Sequence, residues 1–220
     1  MAISIRDYNP PNGNYNLYRY DVCFFSDTIH TTVTSDPVIA GEWISEVQFN
    51  HCVGPETPIV GLDVEWLPTF GRGPQNPTAT LQLCTGNRCL IYQLIHSSYI
   101  PSVLATFLSD RNITFVGVGI GSDLQRLWSD YTIGGQATRR VELGKLAAYF
   151  YESTVWERAG LKTLATLVLR KEVEKPQNVT LSRWDARRLT AEQVQYACVD
   201  AFVSLQIGKA LNACSYNSSS

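Results

Sequence analysis

The chain has 220 residues, of which 45% are hydrophobic and 17% charged, and its formal net charge is −2. This composition is typical of a globular protein with a large apolar core and excludes disordered, fibrous and disulfide-stapled classes. The six cysteines form no Cys-x-x-Cys pair and only three histidines are present, which argues against a zinc site. No signal peptide and no apolar run of roughly 20 residues is present, so we expect a cytosolic or nuclear protein without membrane partners.

The first half of the chain predicts more strands than helices. Residues 1–16 are polar and are expected to be flexible. A hairpin is predicted at 17–25 and 28–35, a helix at 37–47, a strand at 58–66, and a second hairpin at 79–94, turning at residues 85–87. The helix start is indicated by Ser35-Asp36-Pro37, a capping side chain followed by proline in the first turn.

The second half is mostly helical. One apolar strand is predicted at 114–120, and helices are predicted at 101–109, 122–131, 142–152, 160–171 and 191–213. Capping-box patterns, Ser122-x-x-Gln125 and Thr190-x-x-Gln193, mark two of the helix starts. A meander followed by strand–helix units predicts an α/β fold, with one mixed sheet flanked by helices and an N-terminal hairpin extension. We predict a single domain over 17–213 and a flexible tail over 214–220.

Two carboxylates lie in the predicted strand 58–66. Asp63 and Glu65 are two residues apart, so their side chains project from the same face of the strand. Such pairs are also common on solvated strands, but Leu62, Val64 and Trp66 predict that this strand is mostly buried. Like charges held close together there are unfavourable unless a cation neutralises them.

Asp123 follows the strand TFVGVGI in the first turn of the next predicted helix. Ligands bind at the carboxyl ends of strands in α/β sheets, although the helix dipole alone also explains an acid at this position. The glycines at 117, 119 and 121 do not form a dinucleotide-binding motif, because position 122 is serine where that motif requires glycine.

Tyr196 and Asp200 are four residues apart in the last predicted helix and therefore share a face. The small residues around Asp200 would let this helix approach the sheet closely and aim the carboxylate at Asp63 and Glu65. A buried aspartate in an apolar helix stripe needs a partner, and a lysine or arginine is the alternative to a metal ion.

Taken together, the four acids predict a site for hard divalent cations. Oxygen ligands favour Mg²⁺ or Mn²⁺ over zinc. Two such ions about 3.5–4 Å apart can activate a water and stabilise the leaving 3′-oxygen during in-line phosphodiester hydrolysis. The predicted metal ligands are Asp63, Glu65, Asp123 and Asp200.

Three segments resemble the motifs of the DnaQ-like 3′-5′ exonucleases of the tyrosine subtype: IVGLDVEW, FVGVGIGSDLQRL and YACVDA. In order and spacing they are similar in particular to the exonuclease domain of Werner syndrome-like proteins, over residues 59–211. The segment LKTLATLVL and the tryptophan before the third motif strengthen this similarity. The N-terminal hairpin followed by VTSDP further resembles small plant members, including the RISC-interacting clearing exoribonucleases.

The resemblance implies an RNase H-like fold and an active enzyme, because none of the five key positions is altered. It implies that Asp63 bridges two ions bound with Glu65, Asp123 and Asp200, and that Tyr196 orients the attacking water or helps remove its proton. It also implies a homo-oligomer, with a hexameric ring as the form to test, and a small-RNA effector complex as a candidate partner.

Substrate contacts are predicted from basic and aromatic residues. Family members often carry a basic residue four places before the tryptophan, where this chain has Thr180. The candidates for phosphate contacts in its place are Arg183, Arg187 and Arg188. Trp66 and Phe70 are candidates to stack on the terminal base. The alternatives are a solvated surface for the arginines and core packing for the aromatic rings.

These patterns predict a two-metal 3′-5′ exonuclease acting on single-stranded nucleic acid, with RNA favoured by the resemblance to plant exoribonucleases. Two alternatives stay open. One is an exodeoxyribonuclease, since no residue selects a 2′-hydroxyl. The other is a non-catalytic nucleic-acid-binding scaffold, in which each acid would be paired with a lysine or arginine.

Overall fold

A mixed eight-stranded sheet forms the centre of the computed structural model, which describes residues 3–8, 16–53, 58–69, 71, 73–135 and 138–216. Its strands are β1 Ile3–Asp7, β2 Leu17–Phe24, β3 Asp27–Thr34, β4 Ile59–Trp66, β5 Thr78–Thr85, β6 Arg88–Tyr92, β7 Thr114–Gly117 and β8 Arg140–Glu142. They lie in the order β1-β2-β3-β6-β5-β4-β7-β8. The pairs β3–β6, β4–β7 and β7–β8 are parallel and the other four are antiparallel, which confirms the predicted mixed sheet.

Helices cover both faces of the sheet. They are α1 Pro37–Val53, α2 Ser102–Ser109, α3 Ile120–Tyr131, α4 Leu143–Phe150, α5 Leu161–Leu164, α6 Gln177–Thr180 and α7 Ala191–Ala210. A π-helical turn, Ala165–Leu169, continues α5 directly. The predicted capping box opens α7, where Thr190 and Gln193 each accept a hydrogen bond from the backbone N–H of the other. Among the described residues, no helix has the length and apolarity needed to cross a membrane.

The sheet separates two apolar cores. Val60, Leu62 and Val64 of β4 belong to the core that α1, α2 and α3 cover. The opposite core lies under α4, α5 and α7. On that side α7 approaches β4 so closely that a Cβ atom at Gly61 would lie 1.9 Å from the carbonyl oxygen of Ala201. The neighbouring helical residue, Asp200, is thereby brought beside β4.

The predicted flexible termini are partly ordered. Ile3–Asp7 pairs with the free edge of β2, so the prediction for residues 1–16 is wrong there; residues 1–2 and 9–15 lie outside the described residues. The predicted flexible tail is also wrong over 214–216. The Arg139 side chain donates to the Cys214 carbonyl at 2.6 Å, and the Tyr216 ring packs against Tyr149. Residues 217–220 lie outside the described part of the chain.

Two further predictions need correction around α3 and β8. The helix begins at Ile120, after Gly119 turns the chain in the left-handed region with φ 77°. Gly119 is therefore the N-cap residue, and the predicted capping box at Ser122 is wrong. Glu142, the last residue of β8, was predicted to begin the helix 142–152. A strand of three residues is too short for its hydrophobic pattern to distinguish strand from helix.

Candidate active site

Asp63 and Glu65 lie on the α7 face of β4, as the alternation of strand side chains predicted. Leu62 and Val64 between them point into the other core. The cross-strand neighbours on β5 are Gln82, opposite Asp63, and Thr80, opposite Glu65. The register of the sheet thus holds both carboxylates in a half-buried position rather than on a solvated face.

Asp123 and Asp200 reach the same region from two helices. Asp123 lies in the first turn of α3, directly after β7, and is 8% exposed; Asp200 lies in the middle of α7 and is 3% exposed. The carboxylate of Glu142, at the end of β8, accepts hydrogen bonds from the Gly119 N–H at 3.0 and 2.9 Å. This contact fixes the turn from which α3 starts and so positions Asp123.

The carboxylates of Asp63, Glu65, Asp123 and Asp200 interact electrostatically and are called the acid cluster below. Burial raises the pKa of Asp63 well above its usual range, and the charges of Glu65, Asp200 and Asp123 raise it further. Burial followed by the charge of Asp200 raises the pKa of Glu65 to about 8. Burial followed by the charge of Glu142 raises the pKa of Asp123 to about 7. The shared cause is negative charge gathered where water is largely excluded.

Lys175 is the cation that the structure places in contact with the acid cluster. Its Nζ donates to Asp200 Oδ2 at 2.6 Å. Its charge lowers the pKa of all four carboxyls, although burial outweighs it and keeps the pKa of Asp200 raised. Asp63, Glu65 and Asp123 form no salt bridge with any other described residue. A purely structural domain would pair each of these acids with a lysine or arginine. In the described part of the chain only Asp200 is paired in this way.

The acid cluster has the chemistry of a divalent-cation site. Its donors are all carboxylates, the ligands that Mg²⁺ and Mn²⁺ favour. Asp200 Oδ1 is buried without a hydrogen-bond partner, so it can accept a cation without losing another contact. With the side chains as they stand, no three acidic, histidine or cysteine residues of the described ranges are arranged to hold a metal ion. Binding therefore requires Lys175 to leave Asp200 and the carboxylates to close around the ion.

Tyr196 lies one helical turn before Asp200, and its hydroxyl interacts with the Asp200 carboxylate. Its ring packs against Trp184, which is fully buried and donates its indole N–H to the Thr180 carbonyl at 3.2 Å. Burial, followed by the charges of Asp200, Glu65 and Asp63, raises the pKa of Tyr196. The phenol is consequently neutral and able to donate a hydrogen bond at the acid cluster.

A cleft of about 800 Å³ opens beside Tyr196 and Asp200. The α7 residues Glu192 to Asp200 form one wall and the segment from Arg170 to Val179 forms another. Ile3 of β1 and Phe25 of the turn between β2 and β3 also line the cleft. Clefts of this volume admit a small-molecule or nucleotide ligand. The acid cluster thus borders the cleft through Asp200, the one member of the cluster that lines it.

The predicted substrate contacts occupy several different surroundings. The Trp66 ring lies under the guanidinium of Arg126, with 4.0 Å from that group to the ring centre. Arg183 is paired with Asp185, Arg188 lies over the Tyr18 ring at 5.3 Å, and Arg187 is exposed. Phe70 lies outside the described residues. These assignments stay predictions, since the basic residue found in contact with the acid cluster is Lys175.

The sequence analysis did not assign two charged residues to this site. Lys175 carries no spacing signal, because it reaches the acid cluster from the irregular segment before α6, 25 positions away from Asp200. Glu142 was placed in a predicted helix. Recognition of β8 as a parallel strand would have marked Glu142 as an acid at a strand's carboxyl end, where ligands gather.

Comparison with known proteins gives consistent relatives. The model of the 3′-5′ exonuclease family matches residues 36–213. A 3′-5′ exonuclease of Arabidopsis thaliana is 35% identical over 155 residues, which cover 69% of this chain and 52% of the relative. The bifunctional 3′-5′ exonuclease/ATP-dependent helicase WRN of Mus musculus is 31% identical over 150 residues, 68% of this chain and 10% of that protein. The chain spans about half the length of the first curated relatives it matches.

Two solved structures share the architecture. RNase D of Escherichia coli is similar with a TM-score of 0.64 and 20% identity, covering 82% of this chain and 44% of that one. The catalytic core of RRP6 from Trypanosoma brucei is similar with a TM-score of 0.65 and 18% identity, covering 84% of this chain and 46% of that one. These similarities confirm the predicted RNase H-like α/β fold. Since the family model covers most of the chain, including the acid cluster and Tyr196, the chain belongs to the 3′-5′ exonuclease family.

Proposed function

We propose that this protein is a two-metal-ion 3′-5′ exonuclease that removes nucleotides from the 3′ end of single-stranded nucleic acid, with RNA preferred. The observation that carries the proposal is the acid cluster, in which four carboxylates from β4, α3 and α7 interact in a buried site beside an open cleft. Lys175 forms a salt bridge with one of the four, Asp200, and the Oδ1 atom of Asp200 has no hydrogen-bond partner among the described residues.

Asp63, Glu65, Asp123 and Asp200 would hold two Mg²⁺ or Mn²⁺ ions, which when bound activate a water and stabilise the leaving oxygen. The register of β4 and the close packing of α7 hold the backbones that carry these carboxylates in place before substrate arrives, so that only the side chains have to close around the ions. The neutral Tyr196 phenol, beside Asp200 at the cleft, orients the attacking water by donating or accepting a hydrogen bond.

The proposed reaction is hydrolysis of the terminal phosphodiester. The water oxygen forms a new bond to phosphorus, and the bond between phosphorus and the 3′-oxygen of the preceding nucleotide breaks. A nucleoside 5′-monophosphate leaves, and the shortened strand ends in a 3′-hydroxyl. Because every step regenerates such an end, the same site can act repeatedly along one strand.

The preference for RNA rests on the similarity of the motifs and the N-terminal hairpin to plant exoribonucleases. DNA is the competing substrate, because the polar residues that line the cleft, such as Asn178 and Gln195, can hydrogen-bond a nucleotide with or without a 2′-hydroxyl. A non-catalytic scaffold is disfavoured because Asp63, Glu65 and Asp123 form no salt bridge within the described part of the chain.

Two further properties form part of the proposal. Tyr149, Phe150 and Val155, near the end of α4, expose large apolar side chains, as surfaces between subunits do. They support a homo-oligomer, which light scattering of the purified protein would detect. We also propose a reducing compartment such as the cytosol or nucleus, in which the buried cross-strand neighbours Cys84 and Cys89 would stay free thiols.

The test uses single-stranded RNA and DNA of one sequence, labelled at the 5′ end and incubated with Mg²⁺, Mn²⁺ or EDTA. We expect a ladder that shortens from the 3′ end, faster on RNA, and that is abolished by EDTA and by Asp63→Asn. The matched control is Asp110→Asn, the same change at the end of α2, which should leave the ladder intact. Binding of either strand without any shortening would leave a scaffold as the function.

A further inference from the structure

Gln82 is a buried amide whose carbonyl oxygen has no hydrogen-bond partner. The residue lies in β5 and is 0% exposed. Its Nε2 donates to Thr80 Oγ1 at 2.7 Å, whereas Oε1 is unpartnered. Nearly all buried polar atoms are hydrogen-bonded, and burying one without a partner costs free energy. An acceptor left open in the middle of a sheet therefore points to a donor that the described residues do not supply.

The position of Gln82 shows where that donor would lie. Gln82 is directly opposite Asp63 in the β4–β5 pair, so both side chains project to the α7 face of the sheet. On its other side the cross-strand neighbour is Ile91 of β6, which offers no donor. A second buried oxygen without a partner, Asp200 Oδ1, belongs to the acid cluster that Asp63 also forms.

Once a cation is bound, the carboxylates that hold it are ionised and cannot satisfy Gln82, because a carboxylate is an acceptor only. A divalent cation bound by them would bring donors, since Mg²⁺ and Mn²⁺ retain several waters in protein sites. We propose that Gln82 is a positioning residue for the cation, and that its Oε1 accepts a hydrogen bond from the hydration shell of an ion held by Asp63. Thr80 holds the amide in that orientation. This inference rests on the proposed function.

The test measures binding of Mn²⁺ alone to the full chain, by electron paramagnetic resonance or calorimetry. Gln82→Met removes the acceptor and keeps the length of the side chain. We expect Mn²⁺ affinity to fall about 10- to 100-fold, as when partners outside the first ligand shell are lost at other metal sites. The melting temperature of the metal-free protein should change little, because two effects offset each other. The variant removes an unsatisfied buried oxygen, which stabilises the fold, and it also removes the hydrogen bond to Thr80, which destabilises it.

The matched control is Gln93→Met. Gln93 is also a buried amide, 1% exposed, but its Nε2 donates to the Ala186 carbonyl at 3.0 Å, beyond the end of β6. This variant should lower the melting temperature, because it orphans that carbonyl, and leave Mn²⁺ affinity unchanged. A purely structural role for Gln82 would give the same pattern as Gln93: lower stability with unchanged affinity.

Equal Mn²⁺ affinity of Gln82→Met and wild type would overturn the inference and leave the proposed function standing. Failure of wild type and Gln93→Met alike to bind Mn²⁺ would overturn both. If Gln82→Met does not fold, the double variant Thr80→Val/Gln82→Met removes the polar pair as a unit. Its Mn²⁺ affinity should be reduced by the same factor, and wild-type affinity in that variant would equally refute the role of Gln82.

Discussion

The two faces of β4 have opposite chemistry. One face presents Leu62 and Val64 to α1, α2 and α3, and both are nearly fully buried among apolar side chains. The other presents Gly61, Asp63 and Glu65 to α7, with raised carboxyl pKa values. One face stabilises the fold through burial of apolar surface, and the other concentrates charge at a cost in stability. Such local costs are typical of functional sites.

Outside the acid cluster itself, the largest effect is expected where α7 meets β4. In Gly61→Ala the added Cβ would lie 1.9 Å from the Ala201 carbonyl oxygen, so α7 must move away from the strand. Because displacement of catalytic groups by about 1 Å can cost on the order of 100-fold in rate, we expect RNA shortening to slow by about that factor. Gly160→Ala, where no atom lies within 4 Å of the added Cβ, is the control. An unimpaired Gly61→Ala enzyme would show that the contact does not position the acid cluster.

The apolar face should respond to mutation in the opposite way. Leu62→Ala creates a cavity in the core and should lower the free energy of unfolding by about 2–5 kcal/mol. The rate of RNA shortening per folded molecule should stay near wild type, because Leu62 points away from the acid cluster. Denaturant titration and initial-rate assays on the same preparation check both parts. A large loss of rate in fully folded Leu62→Ala would show that the apolar face also contributes to catalysis, contrary to this account.

Lys175 provides a smaller test of the charged face. Lys175→Met leaves Asp200 without its ion-pair partner and should destabilise the metal-free protein by about 1–3 kcal/mol, less than for a fully buried pair because the lysine side chain is 38% exposed. Mn²⁺ should bind more tightly, since no ammonium group has to be displaced. Lys171→Met, which removes a salt bridge to Asp27, is the matched control and should leave Mn²⁺ affinity unchanged. Weaker Mn²⁺ binding in Lys175→Met would mean that the lysine supports the ion instead of occupying its place.

The pH dependence of the metal-free protein tests the raised carboxyl pKa values of the acid cluster. The pKa values of Glu65 and Asp123 are raised from 4.5 and 3.8 to about 8 and about 7, by burial and by the surrounding acids, with Lys175 opposing. The folded state therefore binds more protons than the unfolded state, and these groups reduce stability as pH rises through that interval. In EDTA, wild type should lose more stability between pH 5 and pH 8 than Asp63→Asn/Glu65→Gln does. If wild type instead gained more stability than the double variant between pH 5 and pH 8, the expected direction of the pH dependence would be wrong.

Much of this contrast could be read from the sequence, because it depends on local periodicity. Alternation along β4 predicted that Asp63 and Glu65 share a face, and the capping box predicted the start of α7. The contact of Lys175 with Asp200 could not be predicted, since it joins an irregular segment to a helix across 25 positions. The start of α3 was missed because it depends on the left-handed conformation of Gly119.

The open acceptor of Gln82 was also beyond the sequence. In a strand, glutamine beside apolar residues indicates only that one side chain is polar. Its partners depend on the register that places Asp63 on one side and Ile91 on the other. Sequence patterns thus locate the residues that share a face, whereas the hydrogen bonds that remain unmade become visible only when the neighbouring strands are in place.

The most direct test of the acid cluster is a Mn²⁺ titration of wild type and Asp63→Asn, with bound ions and RNA shortening measured in the same samples. We expect wild type to bind two ions, with shortening appearing as the sites fill, and Asp63→Asn to lose both binding and shortening. Loss of activity should exceed the roughly 100-fold that outer-shell partners contribute at metal sites. Shortening that persists in Asp63→Asn, or that proceeds in EDTA, would contradict the assignment of catalysis to this charged face of β4.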